Sequence, residues 1–293
     1  MGGIGGPDGL ARTWHSPKVP APCHPLVCWA FGARRYTWDM SETQLLASAA
    51  PNAAADAHYS LLVARDADEV HAAQRLRHRV FAEEMGATVK GGELGVDQDS
   101  FDDHCDHLIV REDRSGEVVG TYRMLPPDRA ASAGMLYSET EFDLSALDPL
   151  RPSLVETGRS CVHPDHRNGA VVSLVWTGIA RYMLLHGHTM LAGCASVPLD
   201  DGGVQAAHVW RTVSQKHYAP EERRVHPHQP WEPGERDERS TIPPLLRGYL
   251  RLGAEVCGRP AHDPDFGVAD FFVLVDLERA DQRYMRFFLG EAA

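Results

Sequence analysis

Residues 155–185 read VETGRSCVHPDHRNGAVVSLVWTGIARYMLL. The first part alternates as a strand does, yet it carries Glu156 and Arg159. A Gly-containing turn follows, and AVVSLVWTGIARYMLLHG then has the length and apolar content of a helix ending at Gly187. Side chains alternate along a strand, so an odd spacing puts Glu156 and Arg159 on opposite faces if the pleat is regular. A bulge at Gly158 would bring them to one face. Two readings are therefore open: a buried ionic feature serving structure, or a polar site on a strand that feeds directly into a helix start.

The turn HPDHRNG, residues 163–169, suits an anion, because backbone N–H groups and the helix dipole favour phosphate at such a place. Gly169 allows close backbone approach and Arg167 supplies a charged donor. Taken alone it also fits an ordinary strand–helix connection. It is neither a P-loop, since no G-K-[ST] follows, nor G-x-G-x-x-G.

The 293 residues suffice for one large domain with a substantial core. Acidic residues number 41 against 29 basic ones, a formal charge of −12, which argues against nucleic acid as the main partner. Six cysteines at 23, 28, 105, 161, 194 and 257 form no C-x-x-C pair and read as idle or buried thiols in a reducing cytoplasm. No apolar run approaches the ~20 residues of a membrane span.

Residues 1–39, rich in Gly, Pro and Trp, read as an upstream-start artefact or a disordered tail. SAAPNAAADA reads as a linker, which places the folded domain at 59–293 after a tail and linker at 1–58. From Tyr59 a short strand precedes a helix capped by Asp66 or Asp68; two strands joined by RSGE form a hairpin. Strand–helix–strand segments follow, with a helix PLLRGYLRLGAEVCG ending at Gly258 and a last strand VADFFVLVDLE. Hairpins first and strand–helix–strand later predict a mixed sheet with helices packed on it.

A second charged group comprises Asp97, Asp99 and Asp102 with Arg77 and Arg123. The Asp97–Asp99 spacing hints at a calcium loop but fails, with Asp102 where Gly belongs and Leu108 where Glu belongs. His104, Asp106 and His107 have ligating side chains in a loop that reads better as solvated, so no metal is expected.

Strand, R-x-x-G-x turn and helix together resemble the acyl-donor motif of the GNAT acyltransferase fold. Four segments, LRHRVFAEEMGA, DSFDDHCDHLIV with VVGTYRML, ETGRSCVHPDHRNG, and PPLLRGYLRLGAEVCGRPAHDPDFGVADFFVLVD, resemble the ornithine-lipid N-acyltransferases, relatives of the acyl-homoserine-lactone synthases. The resemblance covers about residues 59–290 and leaves the first 58 residues and the charged loop at 220–240 unmatched.

It implies an α/β (α+β) fold with a mixed, splayed central sheet and helices on both faces. It implies catalytic roles for Glu156, Arg159, Asp99 and Asp102, and substrate contacts for Arg77, Phe81 and Arg123. Val162, Arg167, Asn168, Gly169 and Ala170 would cradle the donor's phosphopantetheine. The donor would be acyl-carrier protein or acyl-CoA, with no bound cofactor, and the acceptor an amino acid, ornithine above others.

The expected function is N-acyl transfer in aminolipid synthesis, with Glu156 as base or base relay. Alternatives are a quorum-signal synthase using S-adenosylmethionine, an acetyl-CoA-dependent acetyltransferase, and a non-catalytic acyl-carrier-binding module. An acidic carrier would dock on a basic patch, with Arg75, Arg77 and Arg79, Arg223 and Arg224, or Arg167 as candidates. The expected location is the cytoplasm, with Phe287 and Phe288 either packed on the sheet or touching a membrane.

Overall fold

The computed structural model describes residues 45–49, 58–167, 169–234, 238–281, 283 and 285–286, and of 45–49 the backbone alone. The expectations for residues 1–39, Asn168, Phe287 and Phe288 lie outside the described residues.

In chain order the elements are β1 (Leu45–Ala49), β2 (Tyr59–Val63), α1 (Ala67–His78), β3 (Asp106–Glu112), β4 (Val118–Leu125), α2 (Pro127–Ala133), β5 (Phe142–Asp143) and β6 (Leu154–Val162). Then come α3 (Gly169–His186), β7 (Met190–Pro198), α4 (Val204–Lys216), β8 (His226–Pro227), α5 (Pro244–Leu252), β9 (Glu255–Val256), β10 (Ala261–Asp263) and β11 (Val268–Asp276). The main sheet runs β1-β2-β3-β4-β6-β7-β11-β10, with β9 also on β11; β5 and β8 pair apart from it. Among the described strand pairs of this sheet β6–β7 is parallel and the rest are antiparallel. The sheet is thus mixed, as expected. β1 falls inside the stretch read as tail and linker, and it pairs with β2.

Alternation along the strands sends one set of side chains to each face. Leu61, Leu108, Tyr122, Met124, Val155, Phe271 and Val273 pack with α3, α4 and α5 through Val175, Trp176, Ile179, Val209 and Tyr249. On the opposite face Leu62, Ile109 and Cys161 meet Ala73, Leu76 and Val80, and Leu125, Phe272 and Leu274 meet Leu136, Leu144 and Leu147. Helices therefore cover both faces. Helix α3 is apolar enough by composition to cross a bilayer, but half of it is buried in the protein as a core helix.

Two local departures from the sequence reading matter for the site. Helix α1 starts where expected, with Asp66 accepting from Glu69 N, but beyond His78 it widens into a π-helix over Arg79–Glu84. Such widening is rare overall and frequent at functional sites. Helix α5 ends at Leu252, earlier than Gly258, because Gly253 takes φ +94° and turns the chain into β9.

Candidate active site

Strands β6 and β7 pair in parallel from Leu154–Met190 to Thr157–Gly193 and then part, although β6 continues to Val162 and β7 to Pro198. The crotch of this V is tight: a Cβ on Gly193 would run into the Thr157 carbonyl. Thr157 Oγ1 hydrogen-bonds Ala192 O at 3.1 Å and approaches Tyr249 Oη at 3.1 Å, and Tyr122 Oη donates to it at 3.3 Å. A cavity of about 340 Å³ opens along the V, lined on the β6 side by Glu156, Gly158, Arg159, Ser160 and Cys161 and on the β7 side by Cys194 and Ser196. That size lies within the ~300–1,000 Å³ of small-molecule pockets.

The bulge anticipated at Gly158 falls one residue later. Against β4, Thr121 pairs with Cys161 and Arg123 with Gly158, so Arg159 and Ser160 together oppose a single residue. Arg159 has φ +52°, alone among described non-glycine residues. That conformation costs an L-residue on the order of 1–2 kcal/mol. It carries the guanidinium to Asp97 and Asp99, on the face that also holds Arg123 and Glu156. The regular-pleat expectation of opposite faces fails for this reason.

Behind the cavity wall lies a compact ionic lattice. Arg77, fully buried, donates to Asp102 Oδ1 at 2.8 Å and Oδ2 at 2.7 Å, and its Nε lies 2.9 Å from Asp97 Oδ2. Arg123 donates to Asp99 at 2.6 Å and to Asp102 at 3.3 Å. Arg159 completes the set at 3.2 Å from Asp97 Oδ2 and 3.4 Å from Asp99 Oδ2. Three guanidinium groups thus face three carboxylates, and the local charge closes. Burial alone would push the Asp102 carboxyl up, but the hydrogen bonds and charge of Arg77, with Arg123 behind, hold it well below the usual carboxylate range. Tyr137 lies under both Arg123 and Arg159, with guanidinium carbons 5.6 and 4.8 Å from its ring centroid.

Glu156 is nearly inaccessible, and each of its oxygens accepts a backbone N–H, from Tyr137 at 2.6 Å and Ser138 at 2.7 Å. Burial raises its pKa, opposed by those amide bonds and by Arg123. The carboxylate is therefore oriented by backbone and made more basic by desolvation. Burial also pushes the Cys161 thiol up to about 12, which leaves it unfit as a nucleophile at neutral pH.

Of the residues singled out from sequence, Phe81, Arg123, Glu156, Arg159, Val162 and Arg167 line the cavity. Arg77, Asp99 and Asp102 do not; they stand behind its wall as supports for Arg123 and Arg159. Arg167 closes on Glu84 with two 2.6 Å bonds and donates its Nε to Val162 O at 3.1 Å. Gly169 and Ala170 begin α3. His107 and Asp106 are committed elsewhere, to Asp102 O and to Arg129 with Tyr182.

Three further acids were not picked out from sequence. Glu141, Asp263 and Asp270 line the cavity, with ligand oxygens within 4.8 Å of one another, a spacing suited to a cation. A signal existed: Asp270 interrupts the apolar run VADFFVLV as Glu156 interrupts its own strand. Burial raises the pKa of both Glu141 and Asp270; the charge of Asp270 adds to the rise at Glu141, and that of Asp263 adds to it at Asp270, where hydrogen bonds from Ser196 and Glu141 work the other way.

Residues 76–177 match the model of the acetyltransferase (GNAT) domain. The L-ornithine N(alpha)-acyltransferase of Rhodobacter capsulatus is 35% identical over 252 residues, covering 80% of this chain and 96% of that protein. The Brucella abortus protein of the same name is 36% identical, covering 76% of this chain and 86% of its own. The chain belongs to the L-ornithine Nα-acyltransferase family. As an N-acyltransferase of this family it is an enzyme, which sets aside the non-catalytic binding module. Among solved structures, a CoA-dependent acyl-homoserine lactone synthase, BjaI, with SAM and isopentyl-CoA aligns at 19% identity and TM-score 0.48, covering 78% of this chain and 85% of that one.

Proposed function

We propose that this acyltransferase moves a (3-hydroxy)fatty acyl group from the phosphopantetheine thioester of acyl-carrier protein to the α-amine of ornithine, the first step of an aminolipid. The relatives named for ornithine acylation, matched over nearly their full length, support the acceptor. The observation that carries the chemistry is Glu156, buried at the edge of the V and held by two backbone amides.

The amine must lose a proton before it attacks the thioester carbonyl. Glu156 takes it, directly or through one water, and desolvation favours that uptake. The C–N bond forms, the C–S bond breaks, and the released thiolate is protonated. Backbone N–H groups on the unpaired edges of β6 and β7, beyond Thr157 and Gly193, face the developing oxyanion. Arg123 and Arg159 clamp the acceptor carboxylate from the wall, and Asp97, Asp99 and Asp102 hold both guanidiniums in place.

Val162 and Arg167, with Gly169 and Ala170 at the start of α3, receive the pantetheine arm, with Phe81 beside it in the cavity lining. An acyl-CoA would present the same arm. The carrier, being acidic, docks on exposed arginines such as Arg75 and Arg79. Arg77 is excluded from that patch by its burial.

The test supplies purified protein with a hydroxyacyl-loaded carrier protein and, in parallel, labelled ornithine or S-adenosylmethionine. Acylation of ornithine alone is expected, and turnover with S-adenosylmethionine alone would overturn the reading. Glu156→Gln should lower kcat by about 10²–10³, within the range of general-base removal. Intact turnover in that variant removes Glu156 from the base role.

A further inference from the structure

The buried carboxylates of Asp97, Asp99 and Asp102 are already matched by arginines. Glu156 is engaged by backbone amides. The carboxyls that line the cavity without a cationic partner are Glu141, Asp263 and Asp270; none of them takes part in an ion pair among the described residues.

Asp270 is 3% exposed on β11 and accepts a hydrogen bond from Ser196 Oγ at 2.5 Å. Glu141 Oε2 is a buried oxygen with no hydrogen-bond partner. Asp263 is anchored at the rim by accepting from Asp265 N and Phe266 N at 2.9 and 3.1 Å. An orphaned carboxylate oxygen beside a second buried carboxyl is costly unless something positive enters between them.

The arrangement is also tied to the place of transfer. Glu156 grips the amides of Tyr137 and Ser138, which open the single 3-10 turn Tyr137–Thr140, and Glu141 caps that turn with its N–H bonded to Ser138 O at 3.1 Å. Movement of the base would therefore move Glu141 with it. Asp263 and Asp270 come from β10 and β11, beyond β7 in the sheet, whereas Arg167 follows β6 on the other arm of the V.

We infer that Glu141 and Asp270, with Asp263 at the rim, hold the side-chain ammonium of a diamino-acid acceptor and set the preference for it over a neutral homologue. This rests on the ornithine reading above and names the residues that enforce it. An α-amine at Glu156, a carboxylate on Arg123 and Arg159, and an ammonium at Glu141 and Asp270 give the three points that orient one amino acid. Without a cation, one proton between the two carboxyls fills the same electrostatic role, and burial favours keeping it there. A monoamino acid leaves both carboxyls without an ammonium partner, and sites built to bond a group discriminate strongly against its absence.

The experiment compares wild type, Glu141→Gln and Asp270→Asn with a hydroxyacyl-carrier donor, using ornithine and norvaline as acceptors. Binding of each amino acid in the absence of donor is followed by calorimetry. In both variants the KM for ornithine should rise about 10–100-fold with kcat within about threefold, and the preference over norvaline should fall by at least about tenfold. Glu141→Gln removes a carboxyl without changing shape and guards against a folding failure at Asp270. An unchanged ornithine-to-norvaline ratio, an equal loss for both acceptors, or a requirement for a divalent metal abolished by EDTA would overturn the inference. Wild type that favours ornithine while the variants keep that preference sinks only this inference; wild type that does not acylate ornithine sinks the functional reading, and the calorimetric ratio still decides this one.

Discussion

Arg159 Nε reaches Asp97 Oδ2 at 3.2 Å because Arg159 is itself the bulged residue, held at φ +52°. A left-handed arginine in a strand is unfavourable by on the order of 1–2 kcal/mol, so the lattice around it must outweigh that cost. Glycine would relieve the backbone and delete the charge. Arg159→Gly should therefore stay folded, with a melting temperature within about 5 °C of wild type, while kcat/KM falls by about 10² or more. A variant that melts far lower would show that the guanidinium matters first for folding; one that keeps activity would remove Arg159 from acceptor binding.

Arg77 has a different part, since no atom of it reaches solvent and both its partners are buried aspartates. Lysine cannot reproduce the two-pronged bond to Asp102 and leaves a buried carboxylate short of donors. Arg77→Lys should cost about 3 kcal/mol, seen as a melting temperature lower by roughly 6–12 °C. The pH dependence adds a signature. Asp102 has a depressed folded pKa, so its contribution is present above the ordinary aspartate value of 3.8 and disappears as pH falls through the lower folded value. Wild type should thus lose stability steeply below about pH 4, and Arg77→Lys should show a shallower loss there. Parallel acid curves for the two proteins would contradict that assignment.

The sheet was legible because it is written in local periodicity: the hairpin of β3 and β4, the strand β6 and the apolar helix after it need only neighbours to be recognised. Glu156 and Arg123 were legible for the converse reason, as charges standing in otherwise apolar strands. The lattice was only half legible. Asp97 and Asp102 meet Arg77 across 20 and 25 residues, through a segment of short turns that has no period to read. The face of Arg159 stayed open in the sequence because a bulge changes the count by one, and the bulge sits on a residue type that seldom takes positive φ. Asp270 had the same signature as Glu156, yet Glu141, at the end of a short 3-10 turn, and Asp263, at the end of β10, converge on it only in three dimensions.

Gly193 marks where the V begins. A Cβ there would collide with the Thr157 carbonyl and stand 2.9 Å from Thr157 Oγ1, both of them fixed groups in the core. The Gly193→Ala variant must push β6 and β7 apart at their last shared pair. The expected result is a loss of about 1–3 kcal/mol in stability and a larger proportional loss of activity than any change in fold would explain, measured by urea melts alongside kcat/KM. Wild-type stability in this variant would mean that the strands separate without strain.

Glu141 offers the last and most direct test of the acid pair, because its sign is opposite to that of Asp102. Burial first, then the charge of Asp270 and Asp263, raises its pKa, so the folded protein keeps a proton that the unfolded chain releases above the ordinary value near 4.5. The unfolded state then binds fewer protons, and stability falls as pH rises from about 4.5 toward the raised folded value. Glutamine cannot ionise and removes that slope. Glu141→Gln should equal wild type near pH 4.5 and exceed it by about 1–3 kcal/mol at pH 8, read from urea midpoints at both pH values. Ornithine at a fixed concentration should narrow the gap at pH 8, since its ammonium replaces the proton and its tighter binding stabilises wild type more than the variant. A deficit in the variant at pH 8, with or without ornithine, would mean that Glu141 is ionised and already paired in the folded protein.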